Sequence, residues 1–169
     1  MHATALFAAI SADGGLYKAI MTVHVIAAIV WLGGGTFFTL EAERAKLARN
    51  DKELATLAST AEFWATRLFI PSSIVLILCG FGMIGVGHLG FTKPFIDIGL
   101  VGWVISFGLG TGFLGPQGGK VKVMLEASGG EVTEAIRSRI LRILLVARVD
   151  IVILFLVAGC MVVQPWGSV

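Results

Sequence analysis

The stretch that most constrains this chain covers residues 17–40 and reads YKAIMTVHVIAAIVWLGGGTFFTL. Beyond Lys18 it contains no Asp, Glu, Lys or Arg. At about 1.5 Å of rise per residue, a helix of this length spans the roughly 30 Å hydrocarbon core of a bilayer. The stretch therefore predicts a transmembrane helix.

Three further apolar segments predict a polytopic membrane protein. Hydrophobic residues make up 56% of the chain and charged residues 14%, and the apolar residues occur in long blocks. This pattern is typical of membrane proteins and excludes an ordinary soluble domain. The predicted spans cover about residues 17–40, 63–87, 95–114 and 144–163. We therefore expect an all-α, four-transmembrane-helix bundle, formed by one domain over residues 1–169, with the lipid bilayer as its main partner.

The connecting segments carry signals for helix ends. Charges alternate at helical spacing over residues 41–62, which predicts a solvated extension of the first helix that turns near Asn50. Pro71 predicts a kink in the second span. The run GPQGG over residues 115–119 predicts that the third helix stops there. The last helix is expected over about residues 131–164.

The distribution of basic residues predicts the orientation in the membrane. Lys93 is the only Lys or Arg residue of the second connector. The first and third connectors contain nine Lys and Arg residues: Arg44, Lys46, Arg49, Lys52, Lys120, Lys122, Arg137, Arg139 and Arg142. Because cytoplasmic loops are rich in Lys and Arg, both termini are expected outside the cytoplasm of a bacterial inner membrane. The formal net charge of +2 gives no indication of nucleic-acid binding.

His24 and Trp31 are the most informative polar and aromatic residues of the first span. They are seven residues apart and so lie on one side of a helix, together with several alanines and glycines. An ionisable group within a span is costly unless it is neutral, paired or ligating. Neutral imidazole binds heme iron, copper and zinc. We therefore expect His24 to bind heme b or a metal beside Trp31; the alternative is a hydrogen bond to a neighbouring helix.

The sequence does not fix a second ligand. His88 is chemically the best partner for His24, although it lies in a glycine-flanked turn and is alternatively an ordinary loop histidine. Met83, Cys160 and Met161 are expected at compatible depths. A five-coordinate heme held by His24 alone is a further alternative.

Arg67, Arg148 and Asp150 form a second group of charged residues within predicted spans. Arg148 and Asp150 are two positions apart, so their side chains diverge on a helix. Arg67 is expected at a depth where it can form an ion pair with Asp150. A proton or anion route and arginines that reach the headgroups are the alternatives.

The first span resembles the first helix of several families of small bacterial membrane proteins. These are an uncharacterised four-helix integral-membrane family, the CopD-type copper-resistance proteins and the heme-binding four-helix protoporphyrinogen oxidase family. The shared motif is the spacing of His24 and Trp31 followed by Gly33 and Gly34. The later motifs, Arg67 with Pro71, PQ after the third span and MVVQP at residues 161–165, resemble the uncharacterised family most.

The resemblance to these families implies heme-dependent porphyrin chemistry or copper transport. Similarity to the oxidase family implies that His24 binds heme, with porphyrin chemistry in the bundle, although the third span here lacks the basic residue of that family. We expect a protein that binds heme b or a metal for electron transfer or porphyrin-related redox chemistry. The alternative is a non-catalytic accessory or scaffold subunit, or a homo-oligomer. Motifs of hydrolases and kinases do not occur in a suitable context, and enzymatic activity is left open.

Overall fold

The computed structural model describes residues 14–87 and 93–164, which form four long helices. The helices are α1 (Gly15–Leu47), α2 (Asp51–Val86), α3 (Pro94–Ala127) and α4 (Glu134–Val163). Each helix is long and apolar enough to cross a membrane. The predicted all-α, four-helix membrane bundle is therefore confirmed. His88, the candidate second ligand, lies outside the described residues.

Three of the four helices contain a turn of π-helix. These turns are Ile29–Gly33 in α1, Ala65–Phe69 in α2 and Gly110–Leu114 in α3. A π-helical turn is rare and is often found at functional sites. Its presence in three helices of one bundle singles out the middle of this structure.

The helix stop expected at residues 115–119 is wrong, since α3 continues through Pro116 to Ala127. A proline ring clashes with the carbonyl group four residues earlier, here that of Gly112. Gly112 lies within the π-helical turn Gly110–Leu114, where hydrogen bonds connect residues five apart. The same relation holds for Pro71, whose position four residues earlier is Arg67 in the turn Ala65–Phe69. The helices absorb both prolines in their π-helical turns.

The buried hydrophobic core lies toward the end of the bundle at which α1 joins α2 and α3 joins α4. It contains Ala45, Leu54, Ala55, Ala58, Val121, Ile136, Ile140 and Ile143. The segment 41–62 is thus only partly a solvated face, because four of its residues belong to this core. Water drives apolar side chains together outside the hydrocarbon, whereas lipid exerts little such force between spans.

The polar end of the bundle is held by caps and ion pairs. The turn expected near Asn50 is confirmed, and the Asn50 side chain accepts a hydrogen bond from the Glu53 backbone N–H at 3.1 Å. Thr133 caps α4 in the same way through the N–H of Ile136. Arg137 lies 4.0 Å from Asp51, which connects the start of α4 to the start of α2.

Candidate functional site

His24 forms a hydrogen bond between α1 and α2. Its Nδ1 lies 2.9 Å from the backbone oxygen of Leu76, and the ring lies beside Gly80, where an added Cβ would be 3.8 Å from Cε1. A carbonyl oxygen only accepts hydrogen bonds, so Nδ1 carries the proton. In a neutral ring, Nε2 then holds a free lone pair. This geometry fits the alternative expectation, a hydrogen bond from His24 to a neighbouring helix. It also leaves Nε2 of the ring free to bind a metal.

Trp31 and His24 have different surroundings, although the spacing predicts a shared side. Trp31 belongs to the π-helical turn Ile29–Gly33 and lines a central cavity. His24 lies before that turn and contacts α2. The turn lies between His24 and the second half of α1, and it shifts the faces of the helix before and after it relative to one another. A shared cofactor site for the two residues stays a prediction.

The residues expected as second metal ligands have separate places in the chain. His88 lies outside the described residues. Met161 packs against Gly99 of α3. Within residues 14–87 and 93–164, no three His, Cys, Asp or Glu side chains come together in a way that could hold a metal ion. Metal or heme binding by His24, with or without a second ligand, therefore stays a prediction.

The expected ion pair between Arg67 and Asp150 is not formed among the described residues. The guanidinium group of Arg67 lies 5.4 Å from the centroid of the Phe63 ring, one turn away on α2. Arg148 forms a two-pronged ion pair with Glu43 of α1. Asp150 points instead into the bundle. Sequence spacing does not predict the direction in which each side chain leaves its helix, and that direction decides which of these charges pair.

A cavity of about 150 Å³ occupies the middle of the bundle, and all four helices contribute to its wall. Aromatic side chains from three helices line it, namely Trp31, Phe38, Trp64, Phe69 and Phe107. Further lining residues are small or aliphatic, such as Gly35, Ala65, Gly110, Ala147 and Leu154. The cavity is therefore a largely apolar chamber with aromatic walls.

Among the described residues, Asp150 is the one charged residue that lines this cavity. Its side chain is buried, with 9% of the residue exposed, and its Oδ1 has no hydrogen-bond partner among the described residues. Ser106 Oγ, which also lines the cavity, is unpaired in the same sense. The hydroxyls of Ser73 and Thr111, in contrast, have hydrogen-bond partners. They donate to carbonyl oxygens of their own helices at 2.8 and 2.7 Å, respectively.

The three π-helical turns meet at the cavity. Trp31 comes from the first turn, Ala65 and Phe69 from the second, and Gly110 and Thr111 from the third. Each π-helical turn widens its helix locally and changes which side chains face inward. Sequence patterns based on a period of 3.6 cannot locate such turns, so Ser106 and the cavity were missed. The two in-span prolines are the signal that could have indicated two of the turns.

Comparison with known proteins leaves the family of this chain open. The relationship to the three families named above stays a prediction that rests mainly on the motif of the first helix. Compared with models of protein families, with curated proteins and with solved structures, the chain matches none.

Proposed function

We propose that this protein binds a small, largely apolar molecule within the membrane-spanning bundle. The observation that carries the proposal is the cavity of about 150 Å³ with walls from all four helices. Ligand sites are typically concave and apolar, with a few polar groups that fix the ligand's orientation. Asp150 and Ser106 supply such groups here, and the three π-helical turns around the chamber are a further property common in functional sites.

The volume limits the size of the ligand. An engineered protein cavity of about 150 Å³ with aliphatic and aromatic walls stays dry and binds benzene. Pockets for drug-sized ligands have volumes of about 300 to 1,000 Å³. A single ring with a short substituent therefore fits the cavity, whereas a porphyrin would need a much larger space or a different face of the bundle.

Toluene is a suitable probe for this proposal. We expect the purified full-length protein in detergent to bind toluene, as measured by calorimetry and by a rise in unfolding temperature. Ala147→Leu should weaken toluene binding at least about tenfold, because Ala147 lines the cavity and the larger side chain occupies part of it. Ala135→Leu is the matched control, since Ala135 is exposed on the same helix outside the cavity. Equal binding to both variants would contradict the proposal.

Heme b binding by His24, for electron transfer or porphyrin-related redox chemistry, is the second candidate function. The observation that favours it is the hydrogen bond from Nδ1 to the Leu76 oxygen. Metal-ligating histidines commonly donate one ring N–H to a carbonyl or carboxylate, which fixes the ring and leaves the other nitrogen for the metal. His24 would hold the iron through Nε2, and heme would supply a one-electron carrier at that position.

The absorption spectrum of protein purified from heme-supplied cells tests the second candidate. A Soret band is expected in the wild type and should be lost in His24→Asn. The asparagine amide nitrogen takes the position of Nδ1 and can still donate to the Leu76 oxygen, so this variant separates ligation from helix packing. A colourless wild-type protein with normal stability would contradict heme binding. A stoichiometric membrane partner in the same preparation would then favour the accessory-subunit alternative.

The proposal includes a location in the bacterial cytoplasmic membrane with both termini outside the cytoplasm. The support is the distribution of Lys and Arg. The connectors between α1 and α2 and between α3 and α4 are rich in these residues, whereas the connector between α2 and α3 contains only one, Lys93. A C-terminal reporter that is active only outside the cytoplasm tests this orientation, and an inactive reporter on a folded protein would overturn it.

A further inference from the structure

The central, largely apolar cavity contains a carboxylate, that of Asp150, with no basic residue in the cavity wall among the described residues. Asp150 Oδ1 is inaccessible to solvent and has no hydrogen-bond partner among the described residues. The two arginines at comparable depth do not compensate it, because Arg67 lies over Phe63 and Arg148 is paired with Glu43. A buried charge without a partner costs several kcal/mol. Among the described residues, the cavity therefore lacks a positively charged group beside the carboxylate, and the polar neighbour of Asp150 is the neutral hydroxyl of Ser106.

We propose that the cavity binds a small protonated primary amine, with its ammonium group at the Asp150 carboxylate and its apolar body against the aromatic walls. This inference rests on the proposed function, because it assigns a chemical class to the ligand of the same cavity. The ammonium group supplies the missing positive charge and the hydrogen-bond donors. Ser106 Oγ, the other unpaired polar atom, is a nearby acceptor for one of those donors.

The aromatic residues of the wall favour an organic cation. Trp31, Phe38, Phe69 and Phe107 all line the cavity. The faces of aromatic rings attract ammonium groups, by up to about 2 kcal/mol where water is excluded. The same walls provide apolar contacts for the body of the ligand. An amine with an apolar ring or short chain satisfies both kinds of contact.

Other ligand classes suit the cavity less well. An anion would be repelled by Asp150, and a neutral hydrocarbon would leave the carboxylate unpaired. Divalent Mg²⁺ and Ca²⁺ require about six or more oxygen ligands. The cavity-lining residues provide one carboxylate and a few hydroxyls, and two of these hydroxyls already donate to backbone oxygens.

Paired binding measurements with benzylamine and toluene test the amine. Benzylamine is protonated at neutral pH, whereas toluene has nearly the same shape without the charge. We expect the full-length protein in detergent to bind benzylamine at least about tenfold more tightly than toluene, because a hydrogen bond to a charged group contributes about 1.5 to 3 kcal/mol. In Asp150→Asn this preference should disappear while toluene binding is kept.

Asp97→Asn is the matched control, because Asp97 is exposed in the first turn of α3. It should keep the preference for benzylamine. Retained toluene binding by Asp150→Asn shows that this variant still forms the cavity. A wild-type protein that binds toluene as tightly as benzylamine, or an Asp150→Asn variant that keeps the preference, would overturn the amine proposal alone. A wild-type protein that binds neither probe would overturn the proposed function as well.

Discussion

Gly118→Ala is expected to lower the unfolding temperature of the bundle by several degrees. Gly118 is buried where α3 crosses α2, and an added Cβ would lie 2.8 Å from the backbone oxygen of Ala58 and 3.0 Å from the Cβ of Ala61. Both of these atoms belong to α2, and neither can rotate away, because one is a backbone oxygen and the other is a Cβ bonded directly to the backbone. The helices would have to separate, and such overpacking typically costs about 1 to 3 kcal/mol.

The expected loss is large because the contact is next to the hydrophobic core. Ala58 belongs to the buried cluster that joins α1, α2, α3 and α4. A shift of α2 at Ala58 would therefore disturb its packing with Ile136 and Ile140 as well. Membrane helices commonly use small residues for such close approach, since packing replaces the hydrophobic effect between spans.

Gly108→Ala on the same helix is the control. An added Cβ at Gly108 meets no atom within 4 Å, and alanine is a better helix former than glycine by about 1 kcal/mol. The unfolding temperature of Gly108→Ala, measured in the same detergent, should be unchanged or higher. Equal losses for the two variants would show that glycine content, and not the α2–α3 contact, determines the stability.

The sequence predicts the number of helices well and their lengths less well. Four apolar blocks predict four transmembrane helices. In the bilayer core, where no water is available, a helix forms the hydrogen bonds of its backbone N–H and C=O groups within its own segment. The helices extend further, since α2 begins at Asp51 and α3 ends at Ala127. Those extensions have lower hydropathy, and small residues such as Ala55 and Gly118 contribute to their buried faces. A scan for apolar length does not detect them.

The candidate site is harder to predict because it depends on the direction in which side chains leave their helices. Sequence spacing gives the approximate depth of Arg67, Arg148 and Asp150 in the membrane. It does not give the rotation of one helix against another, and each π-helical turn changes that rotation again. The hydrogen bond from His24 to the Leu76 oxygen also cannot be predicted from the sequence, because every residue has a backbone carbonyl group that could accept it.

The ion pair between Arg148 and Glu43 shows the same limit. Glu43 lies in the segment expected to be a solvated connector, so it was not considered as a partner for an intramembrane arginine. In the structure, both the Nε and an Nη atom of Arg148 contact one carboxylate oxygen of Glu43. These contacts join α1 to α4. The two residues are 105 positions apart in the sequence.

Arg148→Ala is expected to destabilise the bundle by about 1 to 3 kcal/mol. Breaking a fully buried pair costs about 3 to 5 kcal/mol, because the remaining charge has no partner. Here the arginine and glutamate side chains are 41% and 26% exposed, so solvent reduces the loss. The measurement is the unfolding temperature of the wild type, Arg148→Ala, Glu43→Ala and the double variant. The double variant should lose less stability than the sum of the single variants, since removal of both charges leaves neither unpaired.

Arg44→Ala is the matched control for this pair. Arg44 lies 2.8 Å from Glu53, and their side chains are 66% and 35% exposed. Solvent-exposed ion pairs contribute little to stability, because water already solvates both charges and screens their attraction. Arg44→Ala should therefore leave the unfolding temperature nearly unchanged. If Arg148→Ala is equally harmless, or if the losses of Arg148→Ala and Glu43→Ala simply add, the contact between α1 and α4 is not a stabilising ion pair and the two charges are solvated independently.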